Sequence, residues 1–398
     1  MDRQHRGLIG VLGVLTTFAP MSIDMYLPAL PTLARLFNAN AMQVQLTLAT
    51  FFIGFAIGQA FYGPIADRFG RKPPLYVALA LFIAASVGCA LAPSIHVLAA
   101  WRFAQALGAC AGMVIARAIV RDLFEPHEAV RIYAGLMLVM GVAPMLAPLF
   151  GGYLLVGFGW RAIFWVISSF GAICLALAIF RLPETHSGEA PHPFELGHIL
   201  AGYGRLLVHR RYLGYALTGG FSSAGMFAYI ASSPFVLIDL YHIPAQHYGW
   251  IFGSNAFGLI LASQLNGRFL HHRFGGDTVL YGANFVQALA GMVLLTATLT
   301  GVGGLAGVLV PLFFYIACIG FVMPNATALA MAPHGRNAGA ASSLLGSLQF
   351  SLGAVAAIII GAIRNATALP MAATIAICGT LGLIFHRALV GTHCPASR

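Results

Sequence analysis

The sequence predicts an all-helical membrane protein of twelve spans, arranged as two related six-helix halves. Three observations carry this expectation. Of the 398 residues, 59% are hydrophobic and only 8% are charged, against about 25% charged in soluble domains. So few charges cannot coat a water-exposed surface. The apolar residues come in continuous runs long enough for a helix to cross the hydrocarbon core, about 20 residues, and not in the ten-residue alternating segments of a barrel. The longest polar connection falls near the middle of the chain, with six runs on either side.

In order, the expected spans are 8–30, 43–65, 74–93, 96–119, 131–157 and 161–181, then 212–238, 247–270, 277–299, 303–330, 338–363 and 367–388. The first could be mistaken for a signal peptide, because Arg3 and Arg6 precede it. Its apolar character continues to Leu30 and no small-x-small site closes it, so it reads as a span. Residues 1–181 and 212–398 form the two halves, and 182–211 is a polar linker that includes Pro183, Glu184, Glu189, Pro191, Pro193 and Glu195. A faint repeat relates the halves. Gly63, Arg68 and Gly70 recur as Gly267, Arg273 and Gly275, and Arg161 recurs as Arg364, at an offset of about 203 to 205 residues. Internal repeats of this kind are a common transporter plan.

Charge sets the orientation. Apart from Arg102 and Arg117 inside the fourth span, every Lys and Arg except Arg35, Arg161 and Arg364 falls on one side of these spans. The positive-inside rule places that side, with both termini, in the cytoplasm. The formal charge of +10 is therefore a topology signal. No basic patch with interleaved aromatics points to nucleic acid. The cysteines (Cys89, Cys110, Cys174, Cys318, Cys378 and Cys394) are isolated, with no CxxC, so neither a disulfide framework nor a zinc site is expected. Histidines, including His186, His192, His198, His271 and His272, read as solvated loop residues with no HExxH spacing. No metal or cofactor is expected. A nucleotide-binding GxxxxGK[ST] loop is missing, and no nucleophile–base pair lies at membrane depth, which argues against an enzyme.

Between the second and third spans stands Gly63-Pro-Ile-Ala-Asp67-Arg68-Phe-Gly70-Arg71-Lys72. Gly63 suits close helix approach and Gly70 a tight turn. Asp67 is expected to face a helix N-terminus near Asn337, and Arg71 to pair with Asp122. Such contacts would latch the cytoplasmic side; the plainer alternative is a positive-inside turn.

The fourth span carries Arg102, Gln105 and Gly108. An arginine inside a span is costly and needs a partner or water. Asp24, in Pro20-Met-Ser-Ile-Asp24-Met-Tyr26-Leu-Pro28, is the only acidic residue in the spans that lies clear of an end. Asp24 and Arg102 each lie about six residues, roughly 9 Å at helical rise, below the outer ends of their spans. If the two meet, changes in their separation would drive proton binding and release; otherwise they form a static pair that orients two helices.

The fifth span holds Gly141, Pro144, Pro148, Gly151 and Gly152, which predict a kink with close packing. The polar residues Gln59, Asn255, Gln264, Asn284, Gln287, Asn325 and Gln349 read first as interhelical glue.

These motifs carry a resemblance. The segment from Gly63 to Lys72 matches the G-x-x-x-D-R-x-G-R-K loop of the major facilitator superfamily, and Arg102 to Gly108 resembles its R-x-x-Q-G segment, with the glycine two residues late. The fifth span resembles the antiporter motif of drug exporters, with Ala143 and Ala147 in place of its first two glycines. Together with Ser22–Pro31, Arg117–Asp122, Trp160–Trp165 and Pro324–Ala330, the chain resembles the bicyclomycin-resistance (Bcr/CflA) branch of twelve-span drug:proton antiporters over nearly its whole length. The resemblance implies the major facilitator fold in a bacterial inner membrane. It also implies proton-driven export of bicyclomycin-, sulfonamide- or amphenicol-type molecules by a functional monomer whose partners are substrate, protons and lipid. Asp24 and Arg102 take the proton-coupling places, and Asp24, Tyr26, Arg102, Gln105, Asn255 and Phe227 are the expected substrate contacts. A metabolite exporter or proton symporter on the same scaffold is the alternative.

Overall fold

In a computed structural model, residues 3–185, 196–333, 338–363 and 367–391 are described, and they form helices without strands. The first span is built from α1 (Arg3–Thr16), α2 (Phe18–Asp24), a 3-10 turn (Leu27–Ala29) and α3 (Leu30–Leu36). There follow α4 (Ala41–Phe69), α5 (Lys72–Ala90), α6 (Ile95–Leu123), α7 (Pro126–Phe158) and α8 (Trp160–Arg181). A short α9 (Leu196–Val208) lies within the expected linker and precedes α10 (Arg210–Pro234) and α11 (Ala245–Leu265). The chain continues as a single turn α12 (His271–Phe274), then α13 (Gly276–Thr300), α14 (Gly304–Met331), α15 (Ala338–Ala362) and α16 (Leu369–Phe385). Three π-helical stretches, Phe235–Leu240, Asn266–Leu270 and His386–Val390, extend α10, α11 and α16.

Among the described residues, eleven helices are long and apolar enough to cross a membrane. The expected span over 247–270 is helical from Ala245, but Gln246, His247, Ser254, Asn255 and Gln264 dilute its apolar character, and it is not among the eleven. Helix 1 corrects the sequence reading in another way. It does not close near Leu30 but runs to Leu36, because Pro28 and Pro31 occupy first-turn positions of the 3-10 turn and α3, where the missing N–H costs nothing. Likewise, α4 runs through Pro64 to Phe69, so only Gly70 and Arg71 of the Gly63–Lys72 motif lie outside helix. His271 and His272 belong to α12, not to a loop. His186, His192, Cys394, Asn337 and Arg364 lie outside the described residues.

The chain divides into two compact units. One comprises the described part of Met1–Glu195 with Ser233–Ser254, the other that of Leu196–Ser232 with Asn255–Arg398. In the first, α4 and α5 pack on α6, and α5 also on α8. Phe18 sits edge-on to Phe82 and Phe170 at ring separations of 4.6 and 5.2 Å. In the second, α13 packs on α14 and α16, while Leu206 of α9 joins a core with Tyr212, Leu280, Val322 and Leu345. The described cysteines are free and buried.

Helix α7 is unbroken despite Pro144 and Pro148, and its glycines decide its packing. A Cβ on Gly151 would run into the Met25 carbonyl, and one on Gly152 would lie 2.6 Å from the Ala245 carbonyl oxygen. From the other side, a Cβ on Gly249 would lie 2.7 Å from the backbone of Leu149. Small residues let these backbones touch. Gly152→Ala is therefore expected to destabilise the protein by about 1–3 kcal/mol through overpacking. Gly157→Ala on the same helix, where nothing lies within 4 Å, is the control. Thermal melts of the two variants in detergent check this, and equal melts would remove the packing role.

Candidate functional site

Helix 1 breaks where its chemistry sits. α2 ends at Asp24, the Met25 N–H bonds to Met21, and the 3-10 turn follows at Leu27. Tyr26 is fully buried and its hydroxyl lies 2.9 Å from Thr47 Oγ1 of α4. Ser22 lies in the last turn of α2, where carbonyls lack full intrahelical pairing. That carbonyl receives Arg102, whose Nη1 donates to it at 2.9 Å. The same Nη1 donates to Gln105 Oε1 at 2.5 Å, one turn further along α6. Gln105 Nε2 donates to Ser86 Oγ at 2.8 Å, and Ser86 donates to the Phe82 carbonyl at 2.7 Å.

Arg102 is 0% exposed, and its Nε and Nη2 have no hydrogen-bond partner among the described residues. Aromatic faces take their place. The guanidinium carbon lies 4.3 Å from the Phe51 ring centre, 4.7 Å from that of Tyr26 and 6.0 Å from that of Phe164. Such contacts are worth about 2 kcal/mol when desolvated.

Asp24 is 4% exposed and has neither an ion pair nor a hydrogen bond among the described residues. The structure does not join Asp24 to Arg102 as an ion pair. Helix 1 runs on to Leu36, twelve residues past Asp24 rather than six, yet the level agrees: Arg102 meets Ser22 and Tyr26, two residues to either side of Asp24. The unit that holds Asp24 thus collects Tyr26, Arg102 and Gln105 into one buried cluster, and Asp24 makes no ion pair or hydrogen bond among the described residues.

Two expected substrate contacts lie in the other unit. Asn255 Nδ2 donates to Tyr229 at 3.0 Å, and the Phe227 and Phe350 rings are 5.1 Å apart. Other buried amides act as interhelical glue: Gln287 donates to Ser222 at 2.9 Å, and Asn325 to Asn266 at 3.0 Å.

A second polar cluster sits at the ends of α4, α5, α6 and α8. Gly70, at φ +85°, turns the chain from α4 into α5. Arg71, 2% exposed, donates from Nε to Asp122 at 2.8 Å and from Nη1 to Asp67 at 2.6 Å. Burial disfavours its charge, but the Asp122 and Asp67 hydrogen bonds and charges outweigh that and hold its pKa above the usual arginine value. Arg121 lies 3.8 Å from Asp67 and 3.9 Å from Asp122. Arg68 stacks at 5.4 Å on Phe69, and Lys72 lies 5.8 Å from the Tyr76 ring centre. The expected Asn337 contact of Asp67 lies outside the described residues.

One residue here was missed as functional. Glu184, just past α8, accepts from the Arg71 N–H at 2.8 Å and the Lys72 N–H at 3.0 Å, and so caps the N-terminus of α5 as an anion. The adjacent Thr185 hydroxyl donates to Asp122 at 3.2 Å. The available signal was an acidic residue three positions past the end of the sixth span. Glu184→Ala should cost about 1–2 kcal/mol, the range for a lost cap, seen as a lowered melting temperature. Glu184→Gln, which keeps an acceptor, should recover about half.

The Major Facilitator Superfamily profile matches residues 12–358 of the chain. The chain belongs to the Major Facilitator Superfamily. As a facilitator, it is a multi-pass membrane transporter and not an enzyme. Its sequence is 39% identical over 386 residues to the uncharacterized MFS-type transporter YdgK of Bacillus subtilis, covering 96% of this chain and 94% of that one. It is 34% identical to a bicyclomycin resistance protein homolog of Haemophilus influenzae, covering 97% of each. The multidrug resistance protein MdtL of Escherichia coli is 29% identical over 84% of this chain and 83% of its own. Among solved structures, a D-xylose–proton symporter superposes on this facilitator with TM-score 0.75 at 16% identity, over 96% and 97% of the two chains. A nucleoside transporter does so with TM-score 0.75 at 12% identity, over 96% and 99%. At these identities the likeness concerns the fold.

Proposed function

We propose that this facilitator is a proton-coupled antiporter that exports small drug-like molecules across a bacterial inner membrane by alternating access. Both termini lie in the cytoplasm in this reading. The observation that carries it is Asp24: a buried carboxyl with no ion pair or hydrogen bond among the described residues, at the break in a membrane-spanning helix. An intramembrane ionisable group without a structural partner is a functional site by default. The names of the relatives, bicyclomycin resistance and multidrug resistance, support drug export as the task.

In this mechanism Asp24 takes the proton and Arg102 holds the shape of the site. Arg102 ties the broken end of α2 to α6 through the Ser22 carbonyl and Gln105, so any shift of helix 1 must move with that network. Asp24, Tyr26, Arg102, Gln105, Asn255 and Phe227 are the proposed substrate contacts, and mixed aromatic and amide side chains suit a lipophilic cargo with few polar anchors. The Gly63–Lys72 segment with Asp122 is the proposed cytoplasmic latch. The Gly141–Gly152 stretch of α7 supports export over import.

The test uses purified protein in liposomes acidified inside, with a pH-sensitive dye. Bicyclomycin, an amphenicol, a sulfonamide and cysteine are added outside one at a time. Collapse of the gradient by a drug supports the proposal. Collapse by cysteine alone moves the reading to a metabolite exporter on the same scaffold, and no collapse with any of the four overturns drug–proton exchange for this panel.

A further inference from the structure

A second titratable cluster lies in the unit that does not contain Asp24. His386 opens the π-helical stretch that ends α16, a geometry that recurs at functional sites. The imidazole is 1% exposed and its Nδ1 has no hydrogen-bond partner among the described residues. Nε2 faces Asp277, 3.9 Å from Oδ1. Two phenols flank the ring, Tyr281 at 5.8 Å and Tyr215 at 6.2 Å between ring centres. Tyr215 also donates its hydroxyl to Asp277 at 3.0 Å.

Asp277 is the wet end of this arrangement. It stands in the first turn of α13, half exposed, and with Arg211, Tyr215, Thr278 and Val390 it lines a cavity of about 230 Å³. His386 is the dry end. Burial disfavours a charged imidazole, and the carboxylate 3.9 Å away favours it, so proton occupancy changes how strongly the ring holds Asp277. Among the described residues, the charged or titratable groups around it are Arg210, Arg211 and Tyr215 from α10, Asp277 and Tyr281 from α13, and Arg387 from its own stretch. Arg210 donates to the Ala388 carbonyl at 2.7 Å, and Arg387 donates to the Tyr281 hydroxyl. The stretch that carries His386 is thereby docked on both neighbouring helices.

We infer that His386 and Asp277 form a second proton-binding site, which clamps the end of α16 to the start of α13 when a proton is bound. The site is independent of Asp24, and the inference stands whether or not Asp24 couples transport.

The test is a double-mutant cycle with His386→Gln and Asp277→Asn, read as melting temperatures of the intact protein in detergent at about pH 5.5 and about pH 8, on either side of the ordinary histidine range. The expected result is non-additivity of about 2 °C or more at the lower pH that disappears at the higher. Additive shifts at both, or a coupling that does not change with pH, would overturn it. If either variant fails to fold, amide exchange over Ile384–Val390 in the wild type replaces the cycle. Protection corrected for intrinsic rate should fall several-fold on going to the higher pH, and unchanged protection overturns the inference. Repeating the measurement with Asp24→Asn separates the sites: a pH response that survives supports a distinct site, and one that vanishes assigns the response to Asp24 and overturns the proposal.

Discussion

Asp24→Asn is expected to abolish substrate-driven proton movement, down to the level of empty liposomes, while the protein remains inserted and folded. Among the described residues the side chain has no ion pair and no hydrogen bond to lose, and asparagine is nearly the same size, so packing around α2 is preserved. Only the capacity to exchange a proton goes. A structural role predicts the reverse pattern, a lowered melting temperature with residual exchange. The decisive comparison is therefore dye-reported proton flux beside a thermal melt on one preparation. Flux equal to wild type in the variant would remove Asp24 from the mechanism.

Arg102→Leu should likewise separate function from stability. Substitution forfeits two charge-assisted hydrogen bonds, about 1.5–3 kcal/mol each, and cation–π contacts of about 2 kcal/mol. It also relieves the burial of a guanidinium with no carboxylate partner, a penalty of several kcal/mol. These nearly cancel. We expect melting within a few degrees of wild type, with transport below about a tenth of it, because the Ser22 carbonyl and Gln105 lose the group that ties helix 1 to α6. Arg102→Lys restores charge without the planar fork and should recover only part of the transport. A fall of more than about 10 °C for the leucine variant would make Arg102 a structural strut.

Much of the architecture was legible beforehand because a lipid-spanning helix is written as a local run of apolar residues. The runs beginning near Ala41, Lys72, Ile95 and Trp160 became helices within a few residues of expectation. The pairing of Arg71 with Asp122 was legible too, since both stand at span ends on one side and carry opposite charge. The cap that Glu184 places on α5 was not, because 113 residues separate it from Arg71 and nothing local records that approach.

By itself, the sequence determined the solvent of the chain, its helical class and its family, since composition, run length and the Gly63–Lys72 motif are local properties of the string. Tertiary structure alone decided the partners of the buried charges. Equal depth suggested Asp24 for Arg102, yet the guanidinium found the Ser22 carbonyl, Gln105 and the Phe51 and Tyr26 rings. Which face a helix turns inward depends on its rotation and on where prolines interrupt it, and both are settled by packing against neighbours.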